Sequence, residues 1–223
     1  MSMPEPASRS ATCRYPTHLI DGWQDRRGGQ FVLRPILPQD GPLLQAFHAS
    51  LGPRNRRLRF HGAVNELSPA ALARMTDVDH DRHEALVMTC IDDGVEVIVA
   101  DARYVVDGTG RGGEFAIAVA DAWQRRGIAT RAIDGLCKAA RLRGLGWLWG
   151  EILEDNDAML SLVERSGFCR STQAREGTVR VERSVAAAPA RRQYRERAPL
   201  ALVARWLSAA GSQSRWQRPR MRQ

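Results

Sequence analysis

The spacing of apolar and polar positions changes period once in mid-chain, within Glu114 to Thr130, EFAIAVADAWQRRGIAT. Phe115, Ile117 and Val119 alternate with the small residues Ala116 and Ala118, the period of two of a β-strand. From Thr130 onward Ile133, Leu136, Cys137 and Ala140 recur on one face of a helix. Between them lie Asp121, Ala122 and the polar string QRRGIA. The segment therefore reads as strand, tight glycine-containing loop, helix.

The rest of the chain supplies strands and helices around that unit. Gln30 to Pro35 reads as a strand, and Pro38 opens a helix through Leu43, Leu44, Phe47 and Leu51. Ser68 is a candidate N-cap with Pro69 at the first helical position and Leu72 and Met75 on one face. Glu84 to Ile91 and Val95 to Val106 are apolar β-rich runs joined by Asp92-Asp93-Gly94, a hairpin signal. Trp147 to Ile152 is the next strand. Asn156 opens a helix ending at Ser166, with Gly167 at the stop position. Phe168 to Val185 contains a final hairpin around Glu176-Gly177. The expected fold is a mixed α/β sheet of six or seven strands with about four helices.

A loop of this kind has a definite chemistry. The first turn of a helix carries unpaired N–H groups and partial positive charge, which together hold an anion. Gly127 lets backbone approach a phosphate, Ala129 is small, and Arg125 and Arg126 add charge. The string is neither a Walker loop nor a dinucleotide fingerprint, because GKS/T and GxGxxG are absent.

Composition adds bounds. The chain has 223 residues, 43% hydrophobic and 26% charged, enough for one globular domain with extensions. No run approaches the ~18 apolar residues of a membrane span, and the first residues lack the apolar core of a signal. Cys13, Cys90, Cys137 and Cys169 form no CxxC pair, so they read as free thiols and the expected location is cytoplasmic. The formal charge of +8 is unevenly placed: from Ala187 to Gln223 nine arginines face one acid, Glu196, which accounts for all of it. Three segments are expected: a loose leader over 1–28, with Leu19, Ile20 and Trp23 as candidates to dock on the domain, a folded domain over 29–185, and a basic, disordered tail over 186–223. Within the tail, Pro199 to Ala210 has the pattern of a short amphipathic helix. The tail is a candidate contact for an acidic partner or nucleic acid, or simply a solvated extension.

QRRGIA, framed by its strand and helix and followed by WLWGEILEDNDAMLSLVERSGF, resembles the acetyl-CoA loop of the GNAT superfamily of N-acetyltransferases. Gly29 to Phe168 is most similar to the acetyltransferase domain of bacterial protein lysine acetyltransferases. The matching pieces include LRPILPQD, LRFHGAVNELSP, TDVDHDRHEALV and GGEFAIAVADAWQRRGIA. The resemblance implies acetyl-CoA as cosubstrate, with no metal. It places pantetheine contacts at Ile117, Ala118 and Val119. It sets the pyrophosphate against Gln124, Arg125, Arg126, Gly127, Ile128, Ala129 and Thr130, with a further polar contact at Asn156. The acceptor is expected to be a protein lysine, with a small amine, a terminal amine, or a non-catalytic acyl-CoA-binding role as alternatives.

Acetyl transfer to a lysine must overcome the amine's protonation. At a pKa of about 10.4, losing the proton at pH 7 requires roughly 4.6 kcal/mol. Glu114 precedes apolar Phe115 in the strand, where partial burial would raise its pKa, or a salt bridge to an arginine would occupy it. The resemblance assigns it the general-base role. Two departures stand out: His61 replaces a family phenylalanine at the edge expected to line the acceptor site, and Val163 occupies the position of a thiolate-protonating tyrosine. The cluster Asp77, Asp79, His80, Asp81, His83, Glu84 reads as a structural or acceptor-lining turn in preference to a metal site.

Overall fold

The computed structural model describes residues 15–60, 67–172 and 175–186, with backbone alone over 58–60. The strands are β1 (Asp21–Gln24), β2 (Gln30–Pro35), β3 (His83–Asp92), β4 (Val95–Val106), β5 (Gly112–Val119), β6 (Trp147–Leu153), β7 (Cys169–Arg170) and β8 (Thr178–Ser184). The helices are α1 (Gly41–Ser50), α2 (Pro53–Phe60), α3 (Pro69–Thr76), α4 (Ile128–Leu142) and α5 (Asp157–Arg165). One sheet runs in the order β1-β2-β3-β4-β5-β6-β8-β7. All neighbours pair antiparallel except β5 and β6, which are parallel.

The described residues form eight strands and five helices, against the six or seven strands and about four helices expected; the additions are the short edge strand β1 and the helix α2, while β7 and β8 are the expected final hairpin. β1 falls within the segment taken as a loose leader. Asp21–Gln24 is ordered there because Trp23 stacks on Phe31 at 5.3 Å and Leu19 is buried beside it in the core. Residues 1–14 and the tail from 187, with the Pro199–Ala210 helix, Cys13 and His61, lie outside the described residues.

The sheet has a core on each face. On one side α4 and α5 bring Ile128, Ile133, Leu136, Leu160 and Val163 against Phe31, Leu33, Leu86, Tyr104 and Leu148. Gly135 sets how closely α4 lies: a Cβ there would stand 2.6 Å from Leu33 Cδ2. On the other side Leu44, Phe47 and Leu51 of α1 and its end cover Ile36, Ala85, Val87, Ile98 and Ala118. This second face also carries buried charge. Arg34 pairs with Asp40 at 2.6 Å, and Arg103 with Asp101 at 2.7 Å, each partner satisfying the other away from water. The acidic turn at Asp77–Glu84 is built from main-chain bonds: Asp79 Oδ1 accepts from the amides of Asp81, Arg82 and His83, while His80 Nδ1 lies 2.9 Å from Glu84.

Candidate functional site

Where β5 and β6 part, the sheet opens. Their pairing is confined to Gly112–Trp147, Gly113–Leu148 and Glu114–Trp149, after which β5 continues with only β4 beside it. Phe115 stands at the fork. Its ring fills the space beside Gly150, where a Cβ would lie 2.9 Å from the ring, and packs on Phe168 at 4.9 Å. Beyond the fork the strand edge of Ala116 to Val119 lacks a partner on the β6 side. Backbone donors and acceptors there can be taken by an extended ligand lying as an added strand.

A cavity of about 720 Å³ occupies this opening. One wall is β5 from Phe115 to Val119, the opposite wall is Gly150, Glu151 and Ile152 of β6, and the end of α4 closes the top. Gly127 is the N-cap of α4, with φ of 81°, and no side chain caps it. The first main-chain bond at this end runs from the Arg131 amide to the Gly127 carbonyl, so the amides of the preceding turn are left for a ligand. Nothing lies within 4 Å of where a Gly127 Cβ would be. The helix starts at Ile128, two residues before the point at which its periodicity becomes legible. The loop before it is sharply turned, with Arg125 at φ 58°.

The residues expected to hold a cofactor fall into distinct groups. Ile117, Ala118, Val119, Gln124, Arg125, Gly127, Ile128, Ala129, Thr130 and Asn156 all line the cavity. Ile128 is buried in the core, so its amide is what it offers. The side chain of Asn156 accepts from the Met159 amide at 3.2 Å and caps α5, leaving its NH₂ group for a ligand. Arg126 stands apart from the cavity lining. Its guanidinium pairs with Asp25 at 2.6 Å and packs beside the contacting rings of Phe31 and Trp123, 5.0 and 4.8 Å from their centroids. That ion pair holds the Asp25 carboxyl below the usual carboxylate range.

Glu114 departs from its expected setting. It is exposed, not partly buried, and it faces away from the Phe115 side of β5. Its neighbours across the strands are Val105 and Trp149. Val163, in the position of the family tyrosine, is fully buried on α5 and packs the core.

Sequence reasoning missed Arg54, Asn55, Glu151, Met159, Leu162 and Arg165 among the lining residues. Arg54 and Asn55 belong to α2, which reaches across the opening. Arg54 Nη2 donates to the Asp155 carbonyl at 3.3 Å, Arg57 pairs with the Asp155 carboxylate, and Asn55 bonds Asp121. The loops that follow β5 and β6 are thereby tied to one helix.

The family described as acetyltransferase (GNAT) matches residues 54–168. An acetyltransferase of Pseudomonas aeruginosa is 28% identical over 151 residues, covering 68% of this chain and 80% of that protein. Acetyltransferase Pat of Mycolicibacterium smegmatis is 31% identical over 145 residues, 65% of this chain but only 43% of its own length. Among solved structures, the GNAT domain of S. lividans PAT superposes with a TM-score of 0.71 at 28% identity, covering 76% of this chain and 99% of that one. A cAMP-binding acyltransferase from Mycobacterium smegmatis gives 0.52 at 26% identity, over 89% of this chain and 56% of its own.

Proposed function

The chain belongs to the GNAT acetyltransferase family, an acetyl-CoA-dependent N-acetyltransferase, and on that premise we propose that it acetylates the ε-amine of protein lysines. The reading is supported by the likeness to bacterial protein lysine acetyltransferases, Pat of M. smegmatis and S. lividans PAT. We take 29–185 as the catalytic unit, with β1 and Asp25 of the preceding segment packed onto it.

The observation that carries the reading is the cavity where β5 and β6 separate, roofed by the uncapped end of α4. Pantetheine lies along Ile117 to Val119, with its polar groups on the strand's free edge. The pyrophosphate sits on the amides from Gln124 to Thr130, with the Arg125 side chain beside it and Asn156 opposite. Arg126 contributes its amide and holds the loop through Asp25. The thioester carbonyl then comes to the fork, near Phe115 and Gly150.

Glu114 is the general base. It sits on the last β5 residue paired to β6, and its exposed carboxylate is open to an arriving ammonium, directly or through one water. The neutral amine attacks the thioester carbon, the C–N bond forms and the C–S bond breaks. The second nitrogen proton goes to the departing thiolate through solvent, since Val163 has none to give.

The test is incubation of the purified protein with labelled acetyl-CoA and a protein extract, followed by peptide mapping. Label on lysine ε-nitrogens is expected. Label confined to small amines would reject the lysine acceptor while leaving acetyl transfer intact.

A further inference from the structure

We propose that Glu151 binds the acceptor: its carboxylate receives the incoming ammonium inside the cavity, in exchange for Arg175. The inference rests on the amine-acetylation reading above and adds a second acidic group to it. Glu151 stands on β6 two residues beyond Trp149, the last residue of that strand paired with β5. Its side chain therefore shares a sheet face with Glu114 and stands just past the fork. Unlike Glu114, it lines the cavity and is only 10% exposed.

A carboxylate so sheltered needs a counter-charge, and the one present is poorly held. Arg175 Nε lies 3.5 Å from Glu151 Oε1, while its own side chain is 83% exposed. Such a pair is screened by water and contributes little. Arg180 and Arg54, two other cations near it, are engaged elsewhere. Arg180, opposite Glu151 on β8, donates to Glu182 at 2.8 Å and lies 3.9 Å over the Trp149 ring. Arg54 at the rim is bonded to the Asp155 carbonyl.

A primary ammonium brings a full charge and three donors to that carboxylate. It displaces Arg175 and leaves one N–H bonded to Glu151 while another proton passes to Glu114. Once the C–N bond has formed and the thiolate has left, the product is a neutral amide with little attraction for Glu151. Arg175 then returns, which favours release. The site accordingly selects amines that arrive as cations, lysine side chains and alkylamines, over neutral or anionic ones.

The experiment uses the full chain and N-α-acetyl-lysine amide as the probe amine. E151Q should raise the KM for the probe roughly 10- to 100-fold, the loss of a charge-assisted hydrogen bond, with the calorimetric Kd for CoA within twofold of wild type. E151D should recover part of the loss. R175Q, which removes the competing cation, should leave the probe KM unchanged or lower it. A pair that merely stiffened the fold would give E151Q and R175Q the same defect, so equal defects overturn the proposal. An unchanged probe KM in E151Q, or a matching loss of CoA affinity, also overturns it. Should wild type transfer no acetyl to the probe, binding of the probe to CoA-loaded protein decides by calorimetry: loss in E151Q alone sustains the acceptor role, and equal binding by wild type and E151Q ends it. The lysine-protein reading fails separately, by the extract labelling above.

Discussion

Arg126 donates from Nε to Oδ2 of Asp25 at 2.6 Å, across 101 residues of sequence. The loop pattern assigns this guanidinium to a phosphate, but in the fold it pins the loop before α4 to the β1–β2 turn. Asp25 also accepts from the Gly29 amide at 2.8 Å, so the carboxylate fixes both segments at once. Asp25→Asn should raise the KM for acetyl-CoA several-fold with a smaller effect on kcat, and Asp25→Glu should restore part of it. The carboxyl titrates below its ordinary value in the folded state. Its contribution is therefore complete above the unfolded pKa of about 3.9 and is lost as pH falls through the folded value. The difference in Tm between wild type and Asp25→Asn, measured by calorimetry, should shrink on acidification below that point.

Gly127 and Gly144 share a left-handed backbone, φ 81° and 83°, and neither has a neighbour within 4 Å of an added Cβ. Only Gly127 borders the cavity. Gly127→Val and Gly144→Val should each lose about 1–2 kcal/mol of stability from backbone strain. CoA affinity should collapse in the Gly127 variant alone, because the branched side chain occupies the space a phosphate must enter. Chemical denaturation and CoA titration of the two variants side by side check both halves.

Glu114→Gln should reduce kcat by a factor of about 10²–10⁴ and leave CoA binding intact. With the base removed, raising pH supplies the neutral amine directly, so the deficit should narrow as pH approaches the amine pKa of about 10.4. A pH–rate series with wild type alongside measures this. An unchanged rate at neutral pH would exclude Glu114 as base.

The cysteines sort by burial. Cys90 and Cys137 are buried free thiols and Cys169 is exposed. Burial pushes the Cys90 thiol up to about 12 and raises that of Cys137 as well. Brief alkylation at neutral pH should label Cys169 in the native protein and reach Cys90 and Cys137 only after unfolding, as read by peptide mass mapping.

What the sequence could show followed from local physics. The β5 alternation and the α4 stripe are written in consecutive residues, and Gly127 marks the left-handed turn between them. That was enough to place the turn before α4, which borders the cavity. The fate of Arg126 was illegible, because its partner Asp25 meets it only when β1 and β2 fold onto α4. Glu151 was equally hidden: its place in the cavity depends on β6 parting from β5 after Trp149, a tertiary event set by Phe115 and Gly150. PRNRRLRF gave no helical signal because it has no apolar stripe; α2 is held by polar bonds from Arg54, Asn55 and Arg57 to Asp155 and Asp121. The burial expected for Glu114 failed for a related reason. Apolar Phe115 faces the α4 and α5 core, and alternation turns its neighbour to the opposite, open face.

The central claim is that the opening between β5 and β6, under the end of α4, is where the thioester cosubstrate sits. Calorimetric titration of acetyl-CoA into the purified wild-type chain tests it most directly. A saturable isotherm with one site per chain, abolished by Gly127→Val, is the predicted result. No uptake by the wild-type protein, or uptake that Gly127→Val leaves unaltered, would contradict it.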